Sequence, residues 1–189
     1  MKGEIIAVAA PSGAGKTTIV KRILAQFPEF VFSISATTRP IRETEKNGVE
    51  YYFITEEEFK QKIKHNEFIE WEKFYDYYYG TYKSVINKTI NSGKPVLLEV
   101  DVKGALSIKK LYPFAHLIYI SPPSYKELVT RLRERKTENE EDFNKRIKRA
   151  KMELSLKDKF DYIIVNENLE KAVEQTSDLV TKILKGEKN

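Results

Sequence analysis

The segment Ala10-Pro11-Ser12-Gly13-Ala14-Gly15-Lys16-Thr17 sets two glycines, a lysine and a hydroxyl residue directly after the apolar run Ile5–Ala9. That order is chemistry for phosphate. Gly13 and Gly15 can take positive φ, so successive backbone N–H groups can turn inward. Inward amides form a concave anion site, and the helix that follows adds its positive end. Lys16 would then reach the β- and γ-phosphates of a nucleoside triphosphate, while the Thr17 hydroxyl would hold Mg²⁺. The full pattern G-x-x-x-x-G-K-[ST] is broken at its first position, where Ala10 stands in place of glycine. That position is a strand exit with no need of positive φ, so alanine fits. The loop points to a nucleoside triphosphate without saying what receives the phosphate.

Other candidates lie further on. The stretch "FSISATTRPIRETEKNGVEYYF" (32–53) supplies Ser35, Thr37, Thr38, Arg39, Arg42 and Tyr51. "FIEWEKFYDYYYGTY" (68–82) supplies Glu70, Tyr79 and Thr81, and "LLEVDVKGA" (97–105) supplies Glu99 and Asp101. Guanidinium forks match phosphate oxygens in bidentate fashion. Arg131 and Arg135 are four apart and share a helix face, and Arg146 and Arg149 are three apart on the next helix. Taken singly, each has a plain structural use. Glu70 alternates with Ile69 and Trp71, as on a half-solvated strand. Tyrosines pack surface lobes, and arginine-rich helices are laced with Glu–Arg and Glu–Lys bridges.

These residues need a frame. Strands are expected at Ile5–Ala9, Val31–Ser35, Glu50–Ile54, Phe68–Phe74, Val96–Val100, His116–Ile120 and Tyr162–Val165. Helices are expected at Lys16–Phe27, Glu56–Lys64, Lys83–Asn91, Lys103–Leu111, Tyr125–Arg135, Glu140–Lys157 and Leu169–Leu184. Continuous Ile/Val/Leu strands separated by helices argue for an α/β fold with a parallel sheet covered on both faces. Period-two alternation would put Glu99 and Asp101 on one side of the strand end, where ligands of such sheets gather. Two regions break the rhythm: residues 36–82, dense in tyrosine and turn signals, and residues 122–150, helical and rich in arginine. The expected organisation is a core of 1–35, 83–121 and 151–189 carrying these two as inserted lobes.

Composition narrows the class. The chain has 189 residues, 41% apolar and 32% charged, with net charge +5. The positive charge fits a partner that carries phosphate, nucleotide or nucleic acid, as well as a lysine-rich solvated surface. No run approaches the roughly 20 apolar residues of a membrane span, and the opening residues make no signal peptide. Cysteine is absent, and His65 and His116 are the only imidazoles. Disulfides and thiolate metal sites are excluded. A soluble protein of the cytoplasm is expected.

With the loop, Ser-x-x-x-Arg-x-x-Arg, Glu-Trp, Tyr-Tyr-Gly-Thr, the acidic strand end and Asn-Lys-Arg in this order, the chain resembles the guanylate kinases over almost its whole length. The resemblance implies a P-loop core with a GMP-binding lobe (36–82) and a helical lid (122–150), and transfer of phosphate from ATP to GMP or dGMP with Mg²⁺. It implies that Ser12, Gly13, Ala14, Gly15, Lys16, Thr17, Thr18 and Asn166 bind ATP. Arg39 and Arg42 would clamp the GMP phosphate, with Tyr51 and Tyr79 donating hydroxyls. Glu70 would accept from the guanine N1 and N2 donors, Ser35 and Thr81 would serve the O6 side, and Glu99 and Asp101 would face the GMP and the metal-bound water. Adenine presents the wrong pattern, and polar mismatches of that kind discriminate by roughly 10⁴–10⁵. Arg131, Arg135 and Arg146 would reach over the transferring phosphoryl, joining Lys16 and Arg39 in catalysis.

The family commonly shows Arg-x-Pro-Arg-x-Gly-Glu where this chain has Arg39-Pro40-Ile41-Arg42-Glu43-Thr44-Glu45. It often has Arg-Gly at the lid turn, here Arg135-Lys136. The resemblance gives no role to Arg149. Rival readings are an enzyme with another acceptor, a non-catalytic guanylate-kinase-like binding module, and a nucleic-acid binder. Binding modules tend to lose the phosphate loop or the lid arginines, and this chain keeps both. Monomer and homodimer both remain open.

Overall fold

Strands made of Ile, Val, Leu and Ala leave no polar face, so they must be covered on both sides, and helices supply the cover. The computed structural model describes residues 2–74, 76–134 and 140–187. In chain order the elements are β1 (Ile5–Ala9), α1 (Lys16–Gln26), β2 (Val31–Ser33), β3 (Ala36–Thr37), β4 (Tyr52–Phe53), α2 (Glu56–Lys64), β5 (Phe68–Phe74) and β6 (Tyr77–Tyr82). Then follow α3 (Lys83–Asn91), β7 (Val96–Val100), α4 (Val102–Leu111), β8 (His116–Ser121), α5 (Tyr125–Glu134), α6 (Glu140–Leu154), β9 (Tyr162–Val165) and α7 (Leu169–Leu184).

The five-stranded sheet runs β2-β7-β1-β8-β9, with every pair parallel. All five residues of β1 are buried, and alternation splits them between two cores. Ile5, Ala7 and Ala9 pack under α3 and α4, against Ile86, Val102 and Ala105. Ile6 and Val8 pack under α1 and α7, against Ile19, Ile23 and Val180. Because β1 is central and buried, the loop that leaves its end is held on a rigid base.

A second sheet runs β4-β3-β6-β5. Helix α2 closes it by stacking Phe59 on Phe68, ring centroids 4.4 Å apart. Gly80 allows that approach, since a Cβ there would lie 2.9 Å from the Phe59 ring. Helix α2 starts with a reciprocal capping box between Thr55 and Glu58. Helices α5 and α6 form a further small core from Leu128, Leu132 and Ala150.

Most expected strands and helices stand within a residue or two of their places, and the departures are informative. The strand expected over Val31–Ser35 is divided. Val31–Ser33 joins the parallel sheet, while Ala36 pairs with Gly80 and Tyr52 in the second sheet. The chain thus crosses between sheets at Ile34-Ser35. The strand Tyr77–Tyr82 was not expected, because "YYYGTY" has no apolar alternation. It forms because it pairs with β5 over nearly its whole length. Helix α6 ends at Leu154, short of Lys157, and a 3-10 turn follows at Lys157–Lys159. Arg135, Lys136 and the lid turn lie outside the described residues.

Candidate functional site

The loop between β1 and α1 is shaped by its glycines. Gly13 and Gly15 take φ of 90° and 88°, the left-handed region closed to most side chains. Both are also tightly enclosed. A Cβ on Gly13 would lie 3.2 Å from the Leu132 side chain of α5, and one on Gly15 would lie 2.4 Å from Asn166 Nδ2. Asn166, 5% exposed, donates that Nδ2 to the Ala14 carbonyl at 2.8 Å. Ala10 is buried with an ordinary negative φ, so the missing first glycine changes nothing in the turn. Ser12 is half-buried in the loop, and Thr18 is exposed in the first turn of α1.

Lys16 Nζ donates to the Val100 carbonyl at 2.6 Å and stands 3.8 Å from Glu99 Oε1. The Thr17 hydroxyl donates to the same Glu99 oxygen at 2.5 Å. Glu99, on β7, thus contacts both Lys16 and Thr17 at the start of α1. Asp101 takes other partners: it caps α4 by accepting from Gly104 N–H at 2.8 Å. Strand β7 ends at Val100, so the alternation expected to pair the two carboxylates stops between them.

Across the cleft, Arg39 is fixed as a fork. Its Nη1 and Nη2 donate to the two Glu45 oxygens at 3.0 and 2.8 Å, and its guanidinium carbon lies 5.6 Å from the Tyr51 and Phe53 ring centroids. Glu45 also accepts from Arg42 N–H at 2.9 Å. Thr44 takes a negative φ, so the turn closes without the family's glycine. The hydrogen bond from Arg39 holds the Glu45 carboxyl below the usual range. Tyr51 and Tyr79 meet edge to face, centroids 5.9 Å apart, and burial pushes the Tyr51 hydroxyl up to about 12. The Arg42 side chain is exposed.

Glu70 faces inward from β5. Its Oε1 accepts from the Thr81 hydroxyl at 2.5 Å, and Thr81 Oγ1 lies 3.3 Å from Ser35 Oγ. Burial, with Asp101 and Glu72 adding to it, pushes the Glu70 carboxyl up to about 7. Gly104 gives it room, because a Cβ there would lie 2.8 Å from Glu70 Oε2. The site thus has a glycine-shaped loop with a lysine at one end. At the other it has a guanidinium fork and a carboxylate–hydroxyl–hydroxyl chain.

Comparison with known proteins decides the family. The guanylate kinase family model matches residues 2–183. The chain belongs to the guanylate kinase family. It is 49% identical over 180 residues to a guanylate kinase of Thermotoga maritima, covering 95% of this chain and 87% of that protein. It is 45% identical over 173 residues to one of Chlorobium luteolum, covering 91% and 88%. The crystal structure of guanylate kinase from Anaplasma phagocytophilum superposes with a TM-score of 0.78 at 29% identity, covering 97% of this chain and 87% of that one.

In this guanylate kinase the described arginines of α5 and α6 differ in setting. Arg131 is held by Glu127 at 3.0 Å and donates to the Asn166 carbonyl at 3.3 Å, which puts it beside the phosphate loop. Arg146 is half-buried on α6. Arg135 lies outside the described residues. Sequence reasoning missed Glu45, Gly104 and the partners of Arg149. The Arg149–Glu153 spacing of four was a readable helix pair, but Glu72, a further partner, is 77 residues away and left no local signal.

Proposed function

We propose that the two ends of this site hold the two substrates of the family's reaction, transfer of the γ-phosphate of ATP to GMP. ATP phosphates lie in the loop of Ser12 to Thr18, on its amides and Lys16, with Asn166 near the adenine. GMP lies on the second sheet. Arg39 and Arg42 take its phosphate with help from Tyr51 and Tyr79, while Glu70, Thr81 and Ser35 take its base. Residues 36–82 then act as the GMP lobe, 122–150 as the lid, and the remainder as the core. The reading rests chiefly on one observation: a buried carboxylate hydrogen-bonded to Thr81 stands in the same cleft as the loop lysine.

Thr17 and Glu99 bring hard oxygen donors together, a set that suits a divalent cation with several water ligands. Thr17 would hold Mg²⁺ there, with Glu99 beside it, and the ion when bound would neutralise charge on the ATP phosphates.

The acceptor is an ionised phosphate oxygen, so no general base is required. Lys16, Arg39, Arg131, Arg135 and Arg146 neutralise and align the two phosphates, and lid closure excludes water that would otherwise hydrolyse ATP. Among the described residues no helix is long and apolar enough to cross a membrane. We assign the reaction to the cytoplasm, where free nucleotides are found.

The test is ADP release with GMP, AMP, UMP and CMP as acceptors, with and without Mg²⁺. Release with GMP alone, and only with the metal, is expected. Comparable turnover with AMP would refute the base assignment.

A further inference from the structure

Arg149 links three parts of the molecule. Its Nη2 donates to Glu72 Oε2 of β5 at 2.5 Å and lies 3.6 Å from Asp101 Oδ2 at the start of α4. Its Nε donates to Glu153 on its own helix at 2.8 Å, and its guanidinium covers the Phe74 ring at 4.3 Å. The arginine side chain is 18% exposed and the Glu153 side chain 4%. Exposed ion pairs contribute little. This one is largely desolvated, forked between elements distant in sequence and stacked on a ring. Lys103 also approaches that carboxylate, 4.0 Å from Glu72.

Its position couples two proposed roles. Arg146 precedes Arg149 by three residues on α6, about 4.5 Å along the axis. Glu70 precedes Glu72 by two on β5, about 6.6 Å along the strand and on the same face. The Arg149–Glu72 contact therefore lies within one repeat of the arginine expected over the phosphoryl and of the carboxylate expected on the base. We propose that Arg149 is a positioning residue that fastens the lid helix α6 to the GMP-binding sheet, so that filling the GMP site favours the lid position in which Arg146 serves transfer. The inference rests on the roles given above to Glu70 and Arg146. Coupling of this kind is reciprocal. Ordering β5 by GMP steadies the dock for α6, and α6 docked through Arg149 steadies β5.

Steady-state kinetics on Arg149→Ala, Arg149→Lys, Glu72→Gln and the Arg149→Ala/Glu72→Gln double variant test it, each substrate varied in turn. Arg149→Ala is expected to lower kcat by roughly ten- to a hundredfold, as small misplacements of aligned groups do. KM for GMP should rise with it, while KM for ATP stays within about twofold. Arg149→Lys, a cation without the fork, should recover part of kcat. Glu72→Gln should move kcat and KM for GMP in the same direction, and the double variant should lose less than the product of the single losses.

Unchanged kcat and KM for GMP in Arg149→Ala, KM values for ATP and GMP rising together, or losses that simply multiply would each overturn the proposal. Thermal melts accompany every variant. Should Arg149→Ala not fold, Glu72→Gln decides alone, and wild-type kinetics in it would overturn the proposal. A wild-type protein that does not phosphorylate GMP would instead refute the function from which the inference starts.

Discussion

Thr81 donates its hydroxyl to the Glu70 carboxylate at 2.5 Å, and that bond opposes the burial that pushes Glu70 up to about 7. Guanine N–H donors require the ionised form. KM for GMP should therefore rise as pH falls through about 7, approaching roughly tenfold per unit below it. KM for ATP should not follow. The GMP phosphate itself titrates near about 6, so Glu70→Gln is the control: it removes the upper limb and leaves the lower. The same shift carries a stability signature. A carboxylate more basic in the folded than in the unfolded state favours folding at low pH, and that advantage is lost as pH rises from the ordinary glutamate value of about 4.3 to about 7. Glu70→Gln should therefore gain in melting temperature over the wild type at pH 8 relative to pH 5. An equal difference at both would contradict the buried-carboxylate account.

Gly104→Ala isolates position from charge. The new Cβ would lie 2.8 Å from Glu70 Oε2, so the carboxylate must move although Thr81 holds its other oxygen. Within a helix the change to alanine adds up to about 1 kcal/mol of propensity. The expected outcome is unreduced thermal stability with KM for GMP raised roughly tenfold, or about 1.4 kcal/mol. Unchanged GMP kinetics would show that Glu70 moves aside at no cost to binding.

Glu45 is expected to preorganise Arg39. Glu45→Gln breaks the fork at 2.8 and 3.0 Å and should raise KM for GMP by roughly tenfold, with a smaller fall in kcat than in Arg39→Ala. Tighter GMP binding in Glu45→Gln would mean that the carboxylate competes with the substrate phosphate instead.

Gly15→Ala tests the loop. A side chain at φ 88° costs about 1–2 kcal/mol, and its Cβ would meet Asn166 Nδ2 at 2.4 Å. Melting temperature should fall and KM for ATP should rise, with GMP binding little changed by calorimetry. Adding Asn166→Ala should restore part of the stability by removing the clash. A double variant no more stable than Gly15→Ala would place the whole cost in the backbone.

The parallel sheet was legible because Ile5–Ala9 is apolar without interruption and Val96–Val100 is apolar but for Glu99, a pattern that two-sided burial explains. The phosphate loop was legible because its glycines, lysine and threonine lie within eight residues. Tyr77–Tyr82 was not, because its strand character comes from pairing with β5 and not from its own alternation. Glu45 escaped notice because a carboxylate six residues after Arg39 looks like any charged loop residue until the turn folds it back. Gly104 looked like a weak point in a helix, and its reason is a side chain from another sheet.

The most direct test of the whole account is a crystal structure with GMP bound. The guanine N1 and N2 should lie within hydrogen-bond distance of the Glu70 carboxylate, and the phosphate should rest on Arg39 and Arg42. A purine turned away from Glu70, with its phosphate held elsewhere, would contradict it.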